Sequence, residues 1–126
     1  MRGIGVDMKR DMDLVRKLLF LVEADDKVDK LCEKYGHSVV ARHVAILLDA
    51  NLIVGSLSYD HDQSRRDPDF DIVRLTWAGH EFLDNARNET VWNKVTATIK
   101  NAATTASFEV LVEMLKAGVL AAVQKI

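Results

Sequence analysis

The sequence predicts a mainly α fold, a winged helix-turn-helix with a two-stranded wing and C-terminal helices, and three observations carry that expectation. Apolar residues recur at steps of three and four in three successive segments ahead of Leu52. Two short β-branched runs then flank a polar loop that holds the only proline, Pro68. Directly after the second run, Thr76 is placed to cap a fourth helical pattern.

Met8, Met12, Val15, Leu18, Leu19 and Val22 share one helical face and predict helix 1 from about Lys9 to Glu23, with Asp11 and Asp13 near its positive end. Asp25 and Asp26 end that pattern. Val28 to Tyr35 predicts a short second helix, with Val28, Leu31 and Cys32 inward and Gly36 closing it. Ser38 is the expected N-cap of helix 3, which runs to about Asn51 on a stripe of Val40, Val44, Leu47 and Leu48. Its outward stripe is Ser38, Arg42, Ala45 and Asp49. Leu52 to Tyr59 and Asp71 to Leu75 are the expected strands, joined by a solvated tip from Asp60 to Phe70.

Beyond Thr76, the expected helices carry Trp77, Phe82 and Leu83, then, after an Asn88 cap, Val91, Trp92, Val95 and Ile99. Ala102 to Ala106 is a small-residue connector. Ser107 is expected to cap a last helix that is apolar on nearly every side. Spacing assigns both tryptophans to the core rather than to a base-stacking platform.

A chain of 126 residues with 48% hydrophobic content fits one domain. Residues 1–8 are expected as an N-terminal extension, 9–86 as the winged-helix core, and 87–126 as a helical extension of the same domain. The lone Cys32 and the lack of a leader-like opening predict a reducing, cytoplasmic setting. No apolar run nears the roughly 20 residues that span a bilayer, so no membrane contact is expected. Net charge is -2, and residues 59 to 71 hold two basic and five acidic side chains. Any DNA-binding face must therefore be local.

The segments MKRDMDLVRKLL (Met8 to Leu19), RLTWAGHEFLDNARNETVWNKV (Arg74 to Val95) and SFEVLVEMLK (Ser107 to Lys116) resemble the phage and prophage family known as domain of unknown function (DUF) 2513. The resemblance covers nearly the whole chain from Met8 onward. It implies a winged-helix-like fold and a phage or mobile-element setting, and it brings no catalytic residues with it.

Two functional readings follow. In the first, the protein is a DNA-binding regulator whose helix 3 enters the major groove of double-stranded DNA. Arg42 would grip a guanine edge, and Ser38 a phosphate. Arg65 and Arg66 at the wing tip would reach a flanking groove, with Lys9 and Arg10 as auxiliary phosphate contacts. Asp49, Asp60, Asp62, Asp67 and Asp69 oppose this by repelling phosphates.

In the second reading the chain is a protein-interaction module. Val39, Ile46 and Ala50 form an apolar shoulder on helix 3, and Val112, Leu115, Val119, Ala122 and Ile126 form a seam suited to a homodimer. The same helix packing within one protomer is the competing expectation. Enzymatic activity is not expected, because Cys32 lies on an inward face. Nor is a cofactor. His37, His43, His61 and His80 lack ligand spacing, and the Asp60, His61, Asp62 trio lacks a fixed scaffold, so no metal is expected. Gly3 and Gly5 do not complete a phosphate-binding loop.

Overall fold

The computed structural model describes residues 10–59, 67–101 and 108–124. Among them the chain is mainly helical, with six helices and one two-stranded antiparallel sheet in the order α1, α2, α3, β1, β2, α4, α5, α6. It divides into two compact units, one ending at Gly79 and one beginning at His80.

In the first unit, α1 spans Met12–Glu23 and buries Leu14, Val15, Leu18 and Leu19. It starts later than its apolar periodicity predicts. Asp11 is in extended conformation and its carboxylate accepts the Leu14 N–H at 3.1 Å, so a cap, rather than the last apolar residue in phase, sets the boundary. The helix ends with Asp25 at φ 55° and bonds from the Asp25 and Asp26 N–H groups to the Val22 and Leu21 carbonyls. Those two bonds satisfy carbonyls the helix itself leaves open.

The second helix, α2, covers Asp29–Tyr35 and stops at Gly36, whose φ of 94° suits a residue without Cβ. Gly36 is also the residue from which α3, His37–Asp49, begins. Ser38 is therefore not the cap that its residue type suggests: it is the second residue of the helix, and the N-cap is Gly36, which makes no side-chain capping bond. The short α2–α3 turn leaves no extended position at Ser38 from which a hydroxyl could fold back on the helix. At its far end α3 closes through Asn51, φ 60°, with Leu52 N–H bonded to Leu47 O.

The inner face of α3 holds Val40, Ala41, Val44 and Leu47, and with them His43, which is fully buried. Leu48, expected on that stripe, is half-buried. The His43 Nδ1 lies 2.8 Å from the Val39 carbonyl, and its Nε2 accepts the Asp11 N–H at 2.8 Å. This geometry selects the neutral ring protonated at Nδ1. Both ring nitrogens are satisfied, and α3 is tied to the cap of α1.

After Leu52, β1 (Ile53–Ser58) pairs with β2 (Asp69–Leu75), from Ile53↔Leu75 to Ser58↔Asp69. Val54 faces Arg74 while Gly55 faces Ile72, so Val73 is an extra residue, a bulge in β2. A Cβ on Gly55 would collide with the Asp71 carbonyl, which explains glycine in this strand. Thr76 ends the hairpin as expected: its hydroxyl donates to Asn51 O at 2.7 Å and accepts the Gly79 N–H at 3.0 Å, capping α4, Trp77–Ala86.

The second unit takes up α4 at His80 and adds α5, Glu89–Asn101, and α6, Phe108–Gln124. Asn88 caps α5 by accepting the Val91 N–H at 3.0 Å. Phe82 meets Trp92 edge-on, with ring centroids 6.3 Å apart, and both are buried. Gly118 brings α6 close to α5, since a Cβ there would lie 2.7 Å from a Val91 methyl carbon.

One expectation from spacing is corrected. Trp77 is not core: it is 79% exposed, because the first residue after the Thr76 cap lies outside the apolar stripe carried by Phe82 and Leu83. Within the single chain α6 is buried on one side. Leu111 and Leu115 are buried, while Val110, Leu120 and Val123 are each at least half exposed. The connector 102–107, including the expected Ser107 cap, lies outside the described residues, as do residues 1–9.

Candidate nucleic-acid interface

The face of α3 that a groove-reading helix would present carries Ser38 and Arg42, and the chain returns over it at the start of β2. Arg42 is exposed, and its Nε donates to Asp67 Oδ1 at 3.2 Å. Ser38 is half-buried and hydrogen-bonded to the same carboxylate. The Ser38 hydroxyl first, and then the Arg42 guanidinium, hold the Asp67 carboxyl below its ordinary range, against the upward push of partial burial. Two residues on, Asp69 lies 3.6 Å from His37 Nε2, and the His37 ring stacks on Phe70 at 5.6 Å with 19° between planes. Asp67, Asp69 and Phe70 at the start of β2 thus stand against the first two turns of α3.

The structure brings Ser38 and Arg42 together. Arg65, Arg66 and Lys9 lie outside the described residues, as does the Asp60, His61, Asp62 trio; Arg10 is half-buried just ahead of the α1 cap. Asp49 is exposed at the last residue of α3. Sequence reasoning recognised the wing aspartates as repulsive to phosphate but missed Asp67 as the direct partner of Arg42. Its signal was the position of Asp67 just ahead of β2, which only the hairpin register turns into proximity.

The proposed seam on α6 is the inward side of that helix. Leu115 is fully buried within the single chain, so it has no surface left for a second subunit. Val112, Val119 and Ala122 are half-buried, and Ile126 is outside the described residues. Val110 and Leu120 are exposed away from that side, while Val123, also exposed, shares the face of Val112 and Val119. On the shoulder of α3, Val39, Ile46 and Ala50 are all half-buried.

Elsewhere, burial pushes the Cys32 thiol up, and Asp29 adds to the shift, so the sulfur is held as the un-nucleophilic thiol. Among the described residues no group of three or more His, Cys, Asp or Glu side chains is placed to hold a metal. Among them, too, no helix is long and apolar enough to cross a membrane.

A protein of Haemophilus influenzae described as uncharacterised is 34% identical over 99 residues, which is 75% of this chain and 80% of that protein. No solved structure matches the chain. The profile of the family described as hypothetical protein (DUF2513) matches residues 9–106, and with α1 to α5 inside that match the chain belongs to the DUF2513 family.

Proposed function

We propose that this chain is a protein-binding module on a winged-helix-type scaffold, and that α3 does not read a DNA groove by itself. The observation that carries this reading is the closing of Arg42 and Ser38 onto Asp67. An arginine that recognises guanine must offer two parallel N–H groups to the base edge, and a phosphate approaching Arg42 meets the carboxylates of Asp67 and Asp69 first. Releasing Arg42 costs the carboxylate one charged hydrogen bond and leaves Asp67 and Asp69 beside any phosphate that approaches.

Apolar exposure supports the same reading. Trp77 is 79% exposed and Val73 62% exposed, and both stand at the end of the hairpin where Ile53 pairs with Leu75. A tryptophan held at a helix start by a capped turn is a rigid anchor, the kind of side chain that dominates protein interfaces. The competing reading, a phage or prophage transcriptional regulator, requires Arg42 to leave Asp67.

Two measurements separate them. Fluorescence anisotropy against a pool of random duplexes at low salt is expected to show no binding, and Asp67→Asn, which releases Arg42, is expected to create at most weak binding. Photo-crosslinking in the native cell extract from position 77 is expected to give one discrete adduct that a crosslinker at Asn93 does not give. Tight duplex binding that is lost in Arg42→Ala, with no adduct from position 77, would overturn the proposal.

A further inference from the structure

The two edges of the β1–β2 hairpin are unlike. The Leu52 carbonyl accepts the Thr76 N–H at 3.0 Å, and alternation along an antiparallel ladder then turns the backbone N–H and C=O groups of Gly55 and Leu57 away from β2. Among the described residues the sheet has two strands, and neither Gly55 nor Leu57 makes a backbone hydrogen bond to any other element. The edge of β2 is guarded. Pro68 precedes it, Asp69, Asp71 and Arg74 charge it, Val73 bulges from it, and the connector from Asp25 to Asp29 shares a cleft with Phe70 to Val73. Charge, proline and bulge are devices that keep a strand edge from pairing, and β1 carries none of the three.

From Ala50 to Tyr59 the chain holds no Asp, Glu, Lys or Arg. Along β1, Val54, Ser56 and Ser58 are exposed, alternating with Ile53, Gly55 and Leu57 on the more buried face. This pattern bears on which extended segment fits the edge. When a strand lies antiparallel to its own copy across a two-fold axis, a charged residue near the axis meets itself. The uncharged β1 escapes that repulsion. Centred on Ser56, such a pairing sets Ser56 against Ser56, Gly55 against Leu57 and Val54 against Ser58, with faces matched and a small residue in every pair. Gly55 and Leu57 then exchange the backbone bonds, and they are the residues turned outward.

We infer that β1 pairs antiparallel with β1 of a second copy of this chain, joining two hairpins into a four-stranded sheet in the order β2, β1, β1, β2. The charges of β2 stand one strand farther off, about 10 Å from the β1 of the other copy, where salt screens them. This places the seam of a homodimer on the hairpin instead of on α6, and it does not depend on what Trp77 meets.

The test begins with sedimentation velocity of the full chain from micromolar to millimolar concentration, which is expected to show a monomer–dimer equilibrium. Amide hydrogen exchange of the wild type is expected to slow at Gly55 and Leu57 as concentration rises. Ser56→Lys and Ser56→Asp, at an exposed position, are each expected to weaken self-association about fivefold or more, because like charges then face each other across the axis. An equimolar mixture of the two variants is expected to restore the dimer. A monomer at every concentration, a dimer that either variant leaves unchanged, or a mixture that associates no better than the variants alone would overturn the inference. So would exchange at Gly55 and Leu57 that is independent of concentration. The exchange measurement needs no variant, so it decides the matter even where a substitution unfolds the hairpin.

Discussion

Up to Gly79, several polar side chains join parts of the chain that are far apart in sequence, whereas four of the hydrogen bonds on α4 and α5 reach only a single turn. His43 reaches Asp11 across 32 positions, Arg42 reaches Asp67 and Thr76 reaches Asn51 across 25, and Lys17 reaches Tyr35 across 18. In the second unit Arg87 to Asp84, the Val91 N–H to Asn88, Thr96 to Trp92 and Thr98 to Lys94 each span three or four. The contrast separates two ways of specifying a fold. A small helix–hairpin unit uses directional bonds to fix which elements meet, while a helical unit relies on the shape of a few large apolar side chains.

If that contrast is right, the largest single loss belongs to the apolar interior of the second unit. Trp92→Ala removes a ring that is 1% exposed and packed edge-on against Phe82, and a loss of about 3–5 kcal/mol is expected from urea unfolding. A loss below about 1 kcal/mol would show that shape at this position is not what holds α5, and would break the comparison at its strongest point. In the first unit the matching test is His43→Leu, which keeps an apolar body of similar length but leaves the part-buried Asp11 N–H without its acceptor, while the Val39 carbonyl keeps its helical bond. About 1–3 kcal/mol is expected, with early exchange of the amides at the start of α1. Unchanged stability would mean that the imidazole acts as filler and the long-range bonds are incidental.

The backbone supplies an intermediate case. Gly55→Ala forces a methyl against the Asp71 carbonyl opposite the β2 bulge, and about 1–3 kcal/mol is expected, read as a lower thermal midpoint with shifts limited to the hairpin. Because backbone rather than a flexible side chain is in the way, relaxation requires the strands to part. A neutral Gly55→Ala would place the bulge elsewhere.

The same division decides what was legible in the sequence. Element order and the Thr76 and Asn88 caps could be read directly, because caps and periodicities are local signals. Ser38 misled because residue type alone suggests a cap, whereas Gly36 had already set the start of α3. Trp77 misled because a large apolar residue beside Phe82 and Leu83 invites assignment to their stripe, although steps of five and six residues place it on another side of α4. His43 escaped notice as a core residue since nothing local announces an imidazole whose two partners come from one turn back and from another helix. The Arg42–Asp67 pair escaped for a related reason: the strand register that delivers Asp67 to α3 is a property of the whole hairpin.

The smallest expected effect is the one most informative about function. Asp67→Asn keeps the shape of the side chain and its ability to accept from Ser38 but removes the charge that holds Arg42, so at neutral pH it is expected to cost no more than about 1 kcal/mol. The pH dependence has a definite sign. The folded-state pKa of Asp67 lies below its unfolded value, so its contribution is complete above the ordinary aspartate value of 3.8 and is lost as pH falls through the depressed folded value. Wild type and variant are therefore expected to differ at pH 7 and to converge below that ordinary value, in urea titrations at matched ionic strength. A gap that stays constant down the acid range would mean that the carboxylate charge is not what ties Arg42 to the hairpin. With that tie gone, α3 would be free to present its arginine outward, and the case against direct groove reading would lose its physical basis.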